Sequence, residues 1–87
     1  MNTRIHAPVL VLQGTQDQIS PMHEICAVIS EMDEAGNDVR FELYSQTHHA
    51  FDNPEAGTDP TARLVYSELS TNRARRAIAD FISEAAG

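Results

Sequence analysis

Apolar residues fall into four stretches along the chain, and their spacing differs from one stretch to the next. Ile5 to Gln13 is apolar on consecutive positions at Val9-Leu10-Val11-Leu12, with Pro8 near its start, so a strand here needs cover on both faces, as a central strand of a parallel sheet does. Gly14 to Ser20 is a polar loop. Ser20-Pro21 then predicts a helix start, with the serine hydroxyl as cap and proline at the first helical position. That helix runs to about Ala35. Met22, Ile25, Cys26, Val28, Ile29 and Met32 share one side, Glu24, Glu31 and Glu34 the other, and Gly36 suits a left-handed position past the end. On this pattern Cys26 is a buried packing residue.

Val39 to Tyr44 alternates instead. Val39, Phe41 and Leu43 face one way and Arg40, Glu42 and Tyr44 the other, the pattern of a half-buried strand at a sheet edge. Strand, helix and strand in this order predict a crossover unit with the two strands parallel. Ser45 to Pro60 is loop, rich in Asn, Asp, Gly and Pro. Leu64 to Leu69 predicts a short helical turn, and Ser70 or Asn72 caps a last helix to about Ala85 with the stripe Ala74, Ile78, Phe81, Ile82 and Ala85. The fold class is therefore α/β: a β-α-β-α arrangement of two parallel strands with flanking helices, in a single domain over residues 1–87.

Length makes the core thin. For 87 residues and 9.6 kDa, folding leaves roughly 5,100 Å² exposed of about 13,900 Å² in the unfolded chain. A stability of about 4 to 13 kcal/mol follows from chain length. Thirteen acids face six bases, all arginine, for a charge of -7. Residues 16–59 hold ten acids and only Arg40. Such a middle repels phosphate backbones, and Arg73, Arg75 and Arg76 point different ways around a helix, so nucleic acid is excluded as a partner. The bland reading of these acids is a solvated surface. Absence of lysine excludes Schiff-base chemistry and a phosphate-loop lysine. The single Cys26 excludes an internal disulfide. No apolar run reaches the length of a membrane span, and the expected setting is a soluble, cytoplasmic one.

Asp17 follows the first strand and His49 the second, so a parallel sheet brings both to the strands' carboxyl ends, where open α/β sheets build their sites. A carboxylate beside an imidazole fixes its tautomer and stabilises the imidazolium, as a general base requires. Loops at strand ends also use aspartate simply to cap a turn, and His49 can equally be a surface histidine. Both readings stand on spacing alone. Metal is a poor fit: His48 and His49 are adjacent, His6 and His23 lie elsewhere, and no ligand spacing matches a zinc pattern. No cofactor is expected.

Pro8-Val9-Leu10-Val11-Leu12-Gln13-Gly14-Thr15-Gln16-Asp17-Gln18-Ile19-Ser20-Pro21, followed by Tyr44 and His49-Ala50-Phe51, resembles the last third of a dienelactone-hydrolase-type α/β-hydrolase. The resemblance covers nearly all of the chain. It implies that Asp17 is the triad acid and that His49, rather than His48, is the triad base, in the family's chain order. One departure is large. The family's nucleophile sits on a Gly-x-Cys-x-Gly or Gly-x-Ser-x-Gly elbow, and glycines occur here only at Gly14, Gly36, Gly57 and Gly87, so no two are four apart. Cys26, mid-helix and with Glu24 and Val28 where the elbow's glycines should stand, is no displaced nucleophile, and the family's oxyanion donors are missing too.

Two expectations follow. The chain is a truncated remnant of a carboxylic ester hydrolase without ester hydrolysis of its own. The alternatives are one part of a split hydrolase completed by another chain, an enzyme in which Asp17 and His49 activate water directly, or a module that binds a small ligand between Gln16 and His49. The apolar first strand also lacks a second neighbour, and a homodimer joined along the edge of Val9 to Leu12 would make a continuous four-stranded sheet.

Overall fold

Pleating and β-branched side chains draw both apolar runs into extended chain, and they pair side by side. The structure, a computed structural model, describes residues 7–87; the expected strand start at Ile5, and His6, lie outside them. Strand β1 (Val9–Gly14) pairs in parallel with β2 (Val39–Tyr44), Val9 opposite Val39 and Gly14 opposite Tyr44. Helix α1 (Met22–Glu34) makes the crossover between them, and α2 (Glu68–Ala86) follows β2.

The helix starts differ from the expected ones. Pro21 is itself the cap of α1, in extended conformation, and no side chain caps the helix. The hydroxyl of Ser20 therefore stands one residue too early to do so. Gly36 takes the left-handed conformation that its place past the helix end predicts, with φ +83°. Helix α2 begins before both expected caps: Ser67 accepts from the N–H of Ser70 at 3.1 Å, so Glu68 and Leu69 belong to its first turn. Leu64 forms no helical turn and instead bridges His49 in parallel. A short 3-10 turn over Pro54–Ala56, unexpected from the pattern, is capped by the Asn53 side chain.

Arg40 on β2 pairs with Glu84 of α2, and Leu12 on β1 lines a groove with Thr71, Ala74 and Ile78 of the same helix. Alternation turns Gln13 to the other face, where its amide donates to the carbonyl of Ser20 just ahead of α1 at 2.7 Å. The helices thus flank opposite faces of the sheet.

Burial departs from the apolar pattern. In α1 only Met22, Ile25, Ile29 and Met32 are half-covered, while Cys26 and Val28, on the two shoulders of the stripe, are exposed. The expectation of a buried Cys26 is thereby corrected: α1 packs along one narrow line. In β2 the two faces are not an inside and an outside, for Leu43 is exposed and Tyr44 buried. In α2 the covered face is Ser70, Thr71, Ala74 and Ala77, and Ile78, Ile82 and Ala85 of the expected stripe lie exposed beside it.

Candidate active site

A missing side chain brings the two strand-end loops together. A Cβ on Gly14 would overlap the carbonyl oxygen of Thr47, so only glycine lets the two backbones approach this closely. The N–H of Thr15 donates to the carbonyl of Tyr44 and that of Gln16 to the carbonyl of Thr47, both at 2.9 Å. Gln46 returns a bond, its N–H reaching Thr15 Oγ1 at 3.0 Å.

Within the first loop, Asp17 turns the chain. Its Oδ1 accepts from the N–H groups of Ile19 at 2.9 Å and Ser20 at 2.8 Å, an arrangement open to a short-armed carboxylate just ahead of a helix. Its Oδ2 is 2.9 Å from Nδ1 of His49. The loop-capping use of this aspartate and its contact with His49 are thus not alternatives, since each oxygen serves one of them.

The second loop is held from α2. Thr47, 2% exposed and the most deeply buried side chain among the described residues, shares a hydroxyl contact of 2.7 Å with Ser70 and donates to the carbonyl of Ser45. Gln46 and Ala50, which bracket the histidine pair, have left-handed backbones with φ 52° and 59°. The carbonyl of His49 accepts from Val65, and that of Phe51 from the N–H of Ser67 and the hydroxyl of Thr71. The Phe51 ring meets Tyr44 edge to face, 5.8 Å between centroids. Every bond here fixes the height and direction from which the imidazole leaves the backbone.

Electrostatics follow from this geometry. Burial alone pushes the Asp17 carboxyl up, but the backbone bond from Ser20, the His49 ring and the bond from Ile19 together hold it below its ordinary value. It stays ionised. A carboxylate only accepts hydrogen bonds, so the ring hydrogen of neutral His49 sits on Nδ1 and Nε2 is left as the acceptor. The Asp17 side chain is 7% exposed and that of His49 39%, which buries the acid and leaves the ring open to solvent. Nε2 makes no hydrogen bond among the described residues. The arrangement can accept a proton at Nε2 and stabilise the resulting cation through Asp17.

Of the residues singled out from the sequence, Asp17 and His49 meet, and His48 does not enter the contact. Cys26 is exposed and forms no hydrogen bond to the His49 ring. Among the described residues no three His, Cys, Asp or Glu side chains gather to hold a metal ion, and no helix is long and apolar enough to cross a membrane. Sequence reasoning missed Gly14 as a point of close approach, and Thr47, Ser70 and Thr71 as the supports of the histidine loop. One signal was readable: Ser67, Ser70 and Thr71 stand at the i, i+3, i+4 spacing of one helix face.

Comparison with known proteins places the chain in a family. The family model described as the dienelactone hydrolase family matches residues 1–86. No curated protein matches the chain.

Proposed function

The chain belongs to the dienelactone hydrolase family, and from that premise we propose that Asp17 and His49 are the acid and the base of a carboxylic ester hydrolase acting in the cytoplasm. The observation that carries this reading is the 2.9 Å contact between Asp17 Oδ2 and His49 Nδ1, with Oδ1 tied to two backbone N–H groups. Asp17 holds the ring in the tautomer that exposes Nε2. That nitrogen takes the proton from an attacking hydroxyl or thiol, Asp17 stabilises the imidazolium, and the ring returns the proton to the departing alkoxide.

No residue among these 87 stands on a Gly-x-Ser-x-Gly or Gly-x-Cys-x-Gly elbow. This chain alone is therefore a remnant that does not hydrolyse esters, and an active hydrolase needs its nucleophile and oxyanion donors from another polypeptide segment. A base without them forfeits most of the rate, since the donors alone account for about 10² to 10³-fold.

Two measurements test the proposal. The isolated chain is expected to leave a fluorophosphonate probe unbound and to show the same background rate on a nitrophenyl ester as His49→Ala; a rate that vanishes in His49→Ala would mean direct activation of water and overturn the inactive reading. Mixing with a separately produced family segment that carries the elbow is expected to generate esterase activity that depends on both Asp17 and His49. A complex that forms and stays inactive, or whose activity survives His49→Ala, removes the general-base assignment.

A further inference from the structure

Among the described residues strand β1 has one paired edge and one open edge. Val9 N–H bonds to Asp38 and Thr15 N–H to Tyr44, so by the alternation of a parallel ladder the odd-numbered residues turn their backbone groups toward β2. Leu10 and Leu12 aim theirs at the open side, where they meet no partner among the described residues. The run Val9 to Gly14 carries no charge in a chain of -7, whereas β2 presents Arg40 and Glu42, charges of the kind that protect an edge.

Helix α2 extends the same open side. Its Glu84 reaches Arg40, so that flank faces β2. Ile78, 41% exposed and beside Leu12 in a groove, and Ile82, 60% exposed, lie on the flank of α2 away from Glu84. Between that flank and Leu12 is a groove of about 280 Å³ that includes Phe51 and Arg75.

We propose that a second copy of this chain occupies this edge, its β1 antiparallel to the first about a two-fold axis at Val11. The occupant is argued from self-complementarity, which a two-fold interface demands. With Val11 opposite its own copy, Leu10 faces Leu12 of the second copy, and these pairs exchange the outward N–H and C=O groups of the leucines of both strands in four hydrogen bonds. Pro8 then faces Gly14. Proline has no N–H to give, and the Gly14 carbonyl needs none, because it already accepts from Asp17 N–H at 3.3 Å. The Gly14 N–H remains free to meet the Pro8 carbonyl. The axis also keeps both α2 helices on one face, which sets Ile78 and Ile82 against their counterparts. This pairing rests on β1 and α2 and uses neither Asp17 nor His49.

The test uses the whole chain. Light scattering after size exclusion is expected to give twice 9.6 kDa at micromolar concentration; a monomer at every concentration up to about 100 µM overturns the proposal. Non-hydrogen-bonded antiparallel pairs bring Cα atoms to about 4.5 Å, within disulfide range. In a Cys26→Ser background, Val11→Cys is therefore expected to cross-link to itself under mild oxidation, while Phe41→Cys on β2 is not. The reverse result would put the second copy on β2 and overturn the assignment. Leu12→Pro removes an outward N–H and no bond to β2, and is expected to weaken the dimer about thirtyfold, two symmetry-related bonds being lost, with the far-ultraviolet circular dichroism of the monomer retained. Dimerisation unchanged in a folded Leu12→Pro chain also overturns it.

Discussion

At the carboxyl ends of the strands the buried groups are mostly polar and hydrogen-bonded, whereas along the outer flanks of the helices large apolar side chains lie open. Around Asp17 and His49 the buried polar side chains are Gln13, Asp17, Thr47, Ser70 and Thr71, beside the buried Tyr44, and among the described residues no buried side-chain nitrogen or oxygen lacks a partner. Away from that end, Val28, Ile78 and Ile82 are large, apolar and exposed. The difference lies in what each kind of interaction needs. A hydrogen bond needs one atom at the right place, and the two loops and the start of α2 supply it within the chain. Apolar burial needs area, about 25 cal/mol per Å², and two strands with two helices cannot cover both sides of themselves.

Three substitutions press on this contrast. Gly14→Ala should cost most, about 3 kcal/mol, because the new methyl group meets a backbone carbonyl rather than a yielding side chain; a melting temperature within 2 °C of the parent would show that the loops are not held together there. Asp17→Asn follows at about 2 kcal/mol near neutral pH, the worth of charge-assisted bonds to Ile19, Ser20 and His49. Because the folded carboxyl lies below its ordinary 3.8, its share of stability is complete above that value and is lost as pH falls through the folded value. Denaturant unfolding at pH 7 and pH 3 should show the gap between parent and variant closing in acid; a gap that stays constant would mean the charge contributes nothing. Val28→Ser on the open side should change stability by less than about 0.5 kcal/mol, since Val28 is 52% exposed. A loss of 1.5 kcal/mol or more in urea unfolding of the monomer would mean that this shoulder of α1 is covered after all.

The elements were legible where a local rule sufficed. Consecutive apolar residues placed β1, alternation placed β2, and Gly36 marked the end of α1. Asp17 and His49 were legible as candidates because a parallel crossover brings strand ends together, and the resemblance chose His49 over His48. Burial was not legible. Cys26 and Ile82 lie on apolar stripes, yet a stripe states what a helix can bury and not how much neighbour it finds. The supports of the histidine loop were hidden for the opposite reason: Thr47 and Ser70 read as ordinary loop and helix-start residues, and only the fold reveals that their hydroxyls meet 2.7 Å apart across 23 positions. The left-handed backbones at Gln46 and Ala50 were hidden too, since neither residue is glycine.

The grip on Asp17 Oδ1 is made by main chain alone. Ile19 and Ser20 contribute through their N–H groups, which nineteen of the twenty residue types carry. Saturation mutagenesis at these two positions should therefore find one forbidden letter, proline, and wide freedom otherwise. The message that specifies this acid is correspondingly short: a glycine that admits the neighbouring loop, an aspartate three places on, and almost any spelling in the places around them.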